Sequence, residues 1–151
     1  MAKSETFQSV LVAYAAQVER LKKAADAAHA DSTSEEMKAE GKYDTRGTEA
    51  AYLAEAQVTQ ARKAQEGLAA LQDFSPKDFD EDDEIGLGAL VEVEKGGELS
   101  YFFLLPHGGG VTMDHHGFEL TVISQQAPLY EQLIGCRVGD MVDELMILDL
   151  E

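Results

Sequence analysis

The stretch densest in chemistry is Ser32–Gly47, where Glu35, Glu36, Glu40 and Asp44 are interspersed with Lys38, Lys42 and Arg46. Glu36 and Glu40 stand four residues apart, so a helix running through them puts both carboxylates on one face. A charged interruption of this kind between two helical segments carries side chains away from the body of a protein. Other groups of reactive type are ruled out by their spacing. His107, His115 and His116 are metal-ligand residues, but adjacent histidines on a hairpin loop are expected to point apart, and no acids stand at metal-site spacing beside them. His107-Gly-Gly-Gly110 has the glycines of a phosphate-cradling loop, yet neither a Lys-Ser/Thr pair nor a helix follows, which predicts a flexible turn. Cys136 has no motif around it and reads as a small core residue. Ser100 and Ser124 sit in no nucleophile elbow.

The chain that must hold these groups has 151 residues, of which 44% are apolar, enough for one ordinary domain or two small ones. No run of about 18 apolar residues occurs, and the opening MAKSETF lacks the apolar core of a signal peptide, so the expectation is a soluble, cytoplasmic protein without a membrane partner. One cysteine excludes an internal disulfide and a cysteine zinc cluster. The net charge of −17 is uneven: residues 1–75 hold 9 Lys/Arg against 12 Asp/Glu, net −3, and residues 76–151 hold 3 against 17, net −14. That acidity repels phosphate backbones and argues against direct DNA or RNA binding. It favours a basic protein surface as partner, with a solubilising charge excess as the plainer alternative.

Ser4–Ala30 contains no glycine or proline, and its core-type residues Phe7, Leu11, Tyr14, Val18, Leu21, Ala25 and Ala28 alternate steps of four and three, a coiled-coil seam. A second seam runs through Ala50, Ala54, Gln57, Ala61, Ala64, Leu68 and Leu71, whose small residues permit close approach. Two such segments with a short connection form an antiparallel pair. Pairing the seams in register centres the turn near Ala39 and makes Asp31–Gly47 the tip. A second reading takes Ser32 and Glu35 as a capping box, starts the second helix near residue 34 and leaves His29–Ser34 as the turn; it places Gly41 and Gly47 in a helix at about 1 kcal/mol each. Phe74-Ser-Pro76 ends the second helix. Asp78–Glu84, DFDEDDE, reads as a solvated, flexible acidic linker without EF-hand spacing.

From Ile85 the period changes to two. Strand Ala89–Glu94, a Lys95-Gly-Gly97 turn and strand Leu99–Leu105 form a hairpin. A short piece Val111–Met113, strand Phe118–Ile123, a helix Ala127–Ile134 closed by Gly135, and one last strand, Met141–Leu150, follow. The expected architecture is α+β: a coiled-coil hairpin over 1–75 with its tip at about 31–47, an acidic linker over 76–84, and a small antiparallel β domain with one short helix, of sheet or barrel-like form, over 85–151.

Ile123–Val142, ISQQAPLYEQLIGCRVGDMV, resembles the signature of the Gre family of bacterial transcript cleavage factors. In that family an Ile-Ser strand end precedes Ser-Pro-Leu-Gly, a short helix ending Leu-x-Gly, and Val-Gly-Asp-x-Val. Ile123, Ser124, Pro128, Leu129, Leu133, Gly135, Val138, Gly139, Asp140 and Val142 match in order and spacing, while Ala127 replaces the serine and Tyr130 the glycine. Ile85-Gly-Leu-Gly-Ala-Leu-Val91 and Tyr101 are also similar to the family's C-terminal domain, and the preceding helical hairpin completes its architecture.

This resemblance implies an FKBP-like C-terminal domain docked at the rim of the RNA polymerase secondary channel, with Ser124, Pro128, Leu129 and Tyr43 as docking residues. It also implies a monomer whose hairpin tip meets the 3′ end of the nascent RNA only inside the polymerase. The tip acids would help hold a Mg²⁺ shared with the polymerase, so the chain has no metal or cofactor of its own and is not itself an enzyme. The family's tip pattern, Gly-Asp-Leu-x-Glu-Asn-x-Glu-Tyr, is nearest to Glu35-Glu-Met-Lys-Ala-Glu-Gly-Lys-Tyr43. Glu36 takes the first acid, Ala39 stands at the second, and Glu40 follows one place later; misplacing a metal-holding group by about 1 Å costs roughly 100-fold in rate. After Asp140 the chain has room for one strand where the family has a hairpin. Three functions follow: a cleavage-stimulating factor acting through Glu36 and Glu40, a channel-binding regulator or competitor without cleavage activity, and an FKBP-like prolyl isomerase or chaperone. The last lacks a recognisable aromatic pocket, and the chain has no tryptophan.

Overall fold

No glycine or proline interrupts the chain before Gly41, and a helix once nucleated propagates through residues of middling propensity. The first helix, α1, accordingly runs Lys3–Lys38, eight residues past the expected end at Ala30, and α2 spans Arg46–Gln72. The computed structural model describes residues 2–38 and 46–151. Ser32 and Ser34 lie inside α1, so the capping-box reading with its turn at His29–Ser34 is corrected: without a helix break before it, a Ser-x-x-Glu spacing is simply helix interior.

Burial follows the seam expected of each helix. Phe7, Tyr14, Val18 and Ala25 are buried on α1, as are Ala54, Ala61 and Leu71 on α2. Val10, which the strict four-and-three pattern passed over, is wholly buried as well.

The β-rich part forms one six-stranded sheet in the order β3-β4-β2-β1-β6-β5. Its strands are β1 Leu90–Lys95, β2 Glu98–Leu104, β3 Thr112–His115, β4 Phe118–Ile123, β5 Met141–Val142 and β6 Leu145–Leu150, with helix α3 at Pro128–Leu133. Gly96 and Gly97, both at positive φ, make the two-residue turn that pairs Lys95 with Glu98. The sheet is antiparallel except that β4 lies parallel to β2, because the β3–β4 hairpin returns the chain beside β2 in its own direction. The single last strand expected over Met141–Leu150 is instead a hairpin: Val142 pairs with Leu145 around Asp143-Glu144, where Asp143 at φ 53 takes the left-handed conformation.

One face of the sheet buries Val91, Val93, Leu104 and Ile147 against Tyr130 and Leu133 of α3. Phe79 and Ile85 join the same core, so the stretch Asp78–Glu84 is not a free linker. Lys3 and Lys77 place their ammonium groups 5.1 and 4.6 Å from the Phe79 ring centre, and Arg137 donates to the main-chain oxygen of Asp82 and pairs with Glu84 at 3.3 Å. Side chains alternate along a strand, and Phe103 on the other face meets Phe7 at 6.1 Å.

The chain divides into two compact units, Met1–Tyr14 with Leu68–Glu151, and Ala15–Gly67. Within the first, Phe7 near the start of α1 meets Phe74 just past the end of α2 at 6.4 Å. Tyr14 and Leu71 both border Gly108. The start of α1 therefore lies beside the end of α2, and the helices run antiparallel. The second unit comprises the rest of both helices and buries Val18, Ala25, Ala54 and Ala61.

Candidate functional site

The segment from Ile123 to Val142 folds as a strand end, a turn, α3 and a second turn leading into β5. Ala127 stands at the N-cap without a side-chain capping bond, and Pro128 supplies the fixed φ of the first turn, where its missing N–H costs nothing. Leu133, Ile123 and Val142 are buried, and Leu129 and Val138 pack on the same core. Gly135 and Gly139 adopt φ of 85 and 95, which a side chain rarely accepts. Asp140 accepts from the Arg137 N–H at 2.8 Å and closes the turn between them. Gly135 and Cys136 exchange main-chain bonds with Ile85 at 2.9 and 2.8 Å, tying the motif to the start of the β domain.

Most matched positions are thus accounted for by folding alone. Of the three described docking candidates, Pro128 is exposed, Ser124 is half-buried, and Leu129 turns toward the core. Tyr130, at the place of the family's glycine, is a buried core residue. The glycine-rich loop finds its role here too: a Cβ on Gly109 would stand 2.7 Å from the Ser124 hydroxyl, so the bare backbone is what lets this loop close on Ser124.

Glu36 lies on the last turn of α1, two residues before its end at Lys38. Ala39, Glu40 and Tyr43 lie outside the described residues.

The histidines depart from expectation. His115 and His116 do not point apart; their rings meet edge-on at 4.3 Å, and His115 stands edge-on to Tyr101 at 4.6 Å. His116 at φ 54 and Gly117 at φ 87 form a two-residue turn that pairs His115 with Phe118 and turns the His115 ring inward. Burial holds the His115 imidazole below its ordinary proton affinity, and neighbouring His116 adds to this. Among the described residues no group of three or more His, Cys, Asp or Glu is arranged to hold a metal ion. Burial and nearby Asp140 push the Cys136 thiol up, and it donates to the main-chain oxygen of Gln132 at 3.3 Å, so it is a poor nucleophile. No described helix is long and apolar enough to cross a membrane.

The sequence reading missed Arg137, which bridges the acidic stretch to the motif, and Lys3, whose ammonium donates to the main-chain oxygens of Lys77 at 2.6 Å and Glu151 at 2.8 Å. Its standing as the one Lys/Arg of residues 96–151 in a strongly acidic half was the available signal for the first; nothing local marked the second.

No family model matches the chain, and no curated relative does. Among solved structures it is similar to GreA factor homolog 1 (Gfh1) of Thermus thermophilus, at 21% identity over 93% of this chain and 94% of that one, with a TM-score of 0.38. A structure described as the transcription factor Gfh1 is similar at 23% identity over 93% and 92%, with a TM-score of 0.38. Thermus aquaticus Gfh1 is similar at 19% identity over 91% of each chain, with a TM-score of 0.34. At these values the architecture rests on the helices and strand pairings themselves.

Proposed function

We propose that this chain is a Gre-like transcription factor that binds RNA polymerase at its secondary channel and modulates transcript cleavage or elongation. The observation that carries the reading is the Ile123–Val142 motif, whose ten matched residues stand in order on a β domain that follows a helical hairpin. Pro128 is the exposed docking candidate and Ser124 is half-buried beside the Gly109 loop, and a net charge of −14 over residues 76–151 favours a basic partner. In this reading the chain acts in the cytoplasm as a monomer and performs no catalysis alone. Glu36 and Glu40 would lend carboxylate oxygens to a Mg²⁺ brought by the polymerase, whose chemistry is to activate water toward backtracked RNA.

Ala39 favours a second form of the same function. With one acid of the pattern replaced and Glu40 a place later, the factor would occupy the channel without stimulating cleavage. Backtracked elongation complexes separate the two forms. Faster transcript cleavage with the wild-type chain, lost in Glu36→Ala and in Glu40→Ala, supports the stimulating factor. Co-migration with polymerase and no stimulation supports the occupant. Failure to co-migrate refutes both.

A further inference from the structure

On the face of the sheet that carries Phe103, Glu92 of β1 pairs with Asp149 of β6 on one side and with Tyr101 of β2 on the other. Like charges directly opposite on neighbouring strands repel. No cation among the described residues pairs with either carboxylate to relieve that repulsion. Glu92, Asp149 and Glu151, with Leu90, Tyr101, His115 and His116, line a cavity of about 130 Å³. The described ion pairs join Arg62 to Glu66, Lys95 to Glu144 and Arg137 to Glu84, so none of the three carboxylates in the cavity has a cation among the described residues. Lys3 lies close enough to Glu151 to feel its charge, but spends its hydrogen bonds on two main-chain oxygens. The Tyr101 hydroxyl donates to Glu92 over a long 3.4 Å.

His115 is an independent sign. It lines this cavity at 5% exposure, and no described residue is hydrogen-bonded to its ring. Its ring nitrogens are not among the buried unpartnered atoms, so they open onto the cavity, where an incoming donor can meet them.

We propose that this cavity is a binding site for a guanidinium group. The acids and histidines do not converge as metal ligands do, whereas a planar guanidinium carries five N–H donors that reach acceptors set apart from one another. The rings of Tyr101 and His115 offer the aromatic wall on which such a cation stacks. Because burial keeps His115 neutral, a ring nitrogen is free to accept one of the donors. Burial first, and then the neighbouring carboxylates of Glu92, Glu151 and Asp149, push the Tyr101 phenol up and keep it protonated. This inference stands apart from the polymerase reading and does not require it. The guanidinium could belong to an arginine side chain of a partner or to a free small cation.

The test follows the His115 and Tyr101 ring resonances of the labelled full chain at neutral pH. The probes are methylguanidinium, N-acetyl-arginine methylamide, the neutral citrulline counterpart, methylammonium and Zn²⁺. Both guanidinium probes are expected to shift both rings saturably. Glu92→Gln/Asp149→Asn should weaken them by about tenfold or more, and since it removes a repulsion its fold is retained, which the amide spectrum checks; Tyr101→Phe provides a second variant. Tighter binding of the arginine derivative than of methylguanidinium assigns the site to a protein side chain, and equal binding to a free cation. The proposal is overturned if citrulline, methylammonium or Zn²⁺ binds as tightly, if the double variant binds unchanged, or if neither guanidinium probe shifts the rings.

Discussion

The two compact units are held together by different means. Ala15–Gly67 carries 14 alanines, no phenylalanine and 8 Lys/Arg against 10 Asp/Glu, net −2. The other unit holds all 6 phenylalanines and 4 Lys/Arg against 19 Asp/Glu, net −15. One relies on close approach of small side chains along a helical seam, which buries little area per residue. The other relies on large side chains packed on both faces of the sheet, and tolerates its charge because most of its acids sit at the surface, Glu92 and Asp149 being half-buried exceptions. Burial energy scales with apolar area, so the β-containing unit should be the stable anchor and the helical unit the part with little to spare.

Truncating a large side chain in the anchor tests this most strongly. Phe103 is wholly buried between Phe7 and the Lys3 ammonium, and Phe103→Ala should cost about 3–5 kcal/mol. Val18→Ala, in the helical unit, removes two methyl equivalents and should cost about 1.6 kcal/mol. Denaturant midpoints of the two variants measure the gap; equal losses would erase the contrast.

The same difference governs what the sequence disclosed. Seam and strand positions were legible because burial imposes a period, and the Gly96-Gly97 turn because only glycine takes two positive φ values freely. Val10 escaped because a seam with four-and-three steps has no place for it. The β5–β6 hairpin escaped because its left-handed residue is Asp143 rather than glycine, and Phe79 because one aromatic within DFDEDDE looks solvated. The parallel pairing of β2 with β4 has no periodic signature. As for the candidate site, the motif's order was readable, but the sequence did not disclose that Leu129, Gly135, Gly139 and Asp140 are occupied with folding, while Pro128 is exposed and Ser124 half-buried.

A polar group in the alanine seam sharpens the comparison from the other side. The side-chain oxygen of Gln57 is buried without a hydrogen-bond partner among the described residues. An unsatisfied buried acceptor costs about 1–3 kcal/mol, so Gln57→Leu should raise the stability of the helical unit by about 1–2 kcal/mol, read as a higher denaturant midpoint of the helical signal. A drop in the midpoint would mean that the amide has a stabilising role in the seam.

The smallest effect concerns the joint between α1 and the sheet within the anchoring unit. Partial burial lowers Lys3 from an ordinary value of 10.5 to about 8, against the opposing pull of Asp78 and Glu151. Between pH 8 and 10.5 the unfolded chain therefore holds a proton that the folded one has released, and stability from this group rises with pH through that window. Below pH 8 both states are charged and the folded one bears the desolvation cost in full. Because Lys3 remains half open to solvent, the gain is held to about 1 kcal/mol or less. Lys3→Met keeps an unbranched chain against Phe79 and Phe103 while removing the amine. The stability difference, wild type minus variant, should grow from pH 7.5 to 10.5. A difference that stays flat or shrinks would mean that the two main-chain oxygens and the ring faces replace the lost water fully, and that Lys3 keeps its proton in the folded chain as readily as in the unfolded one.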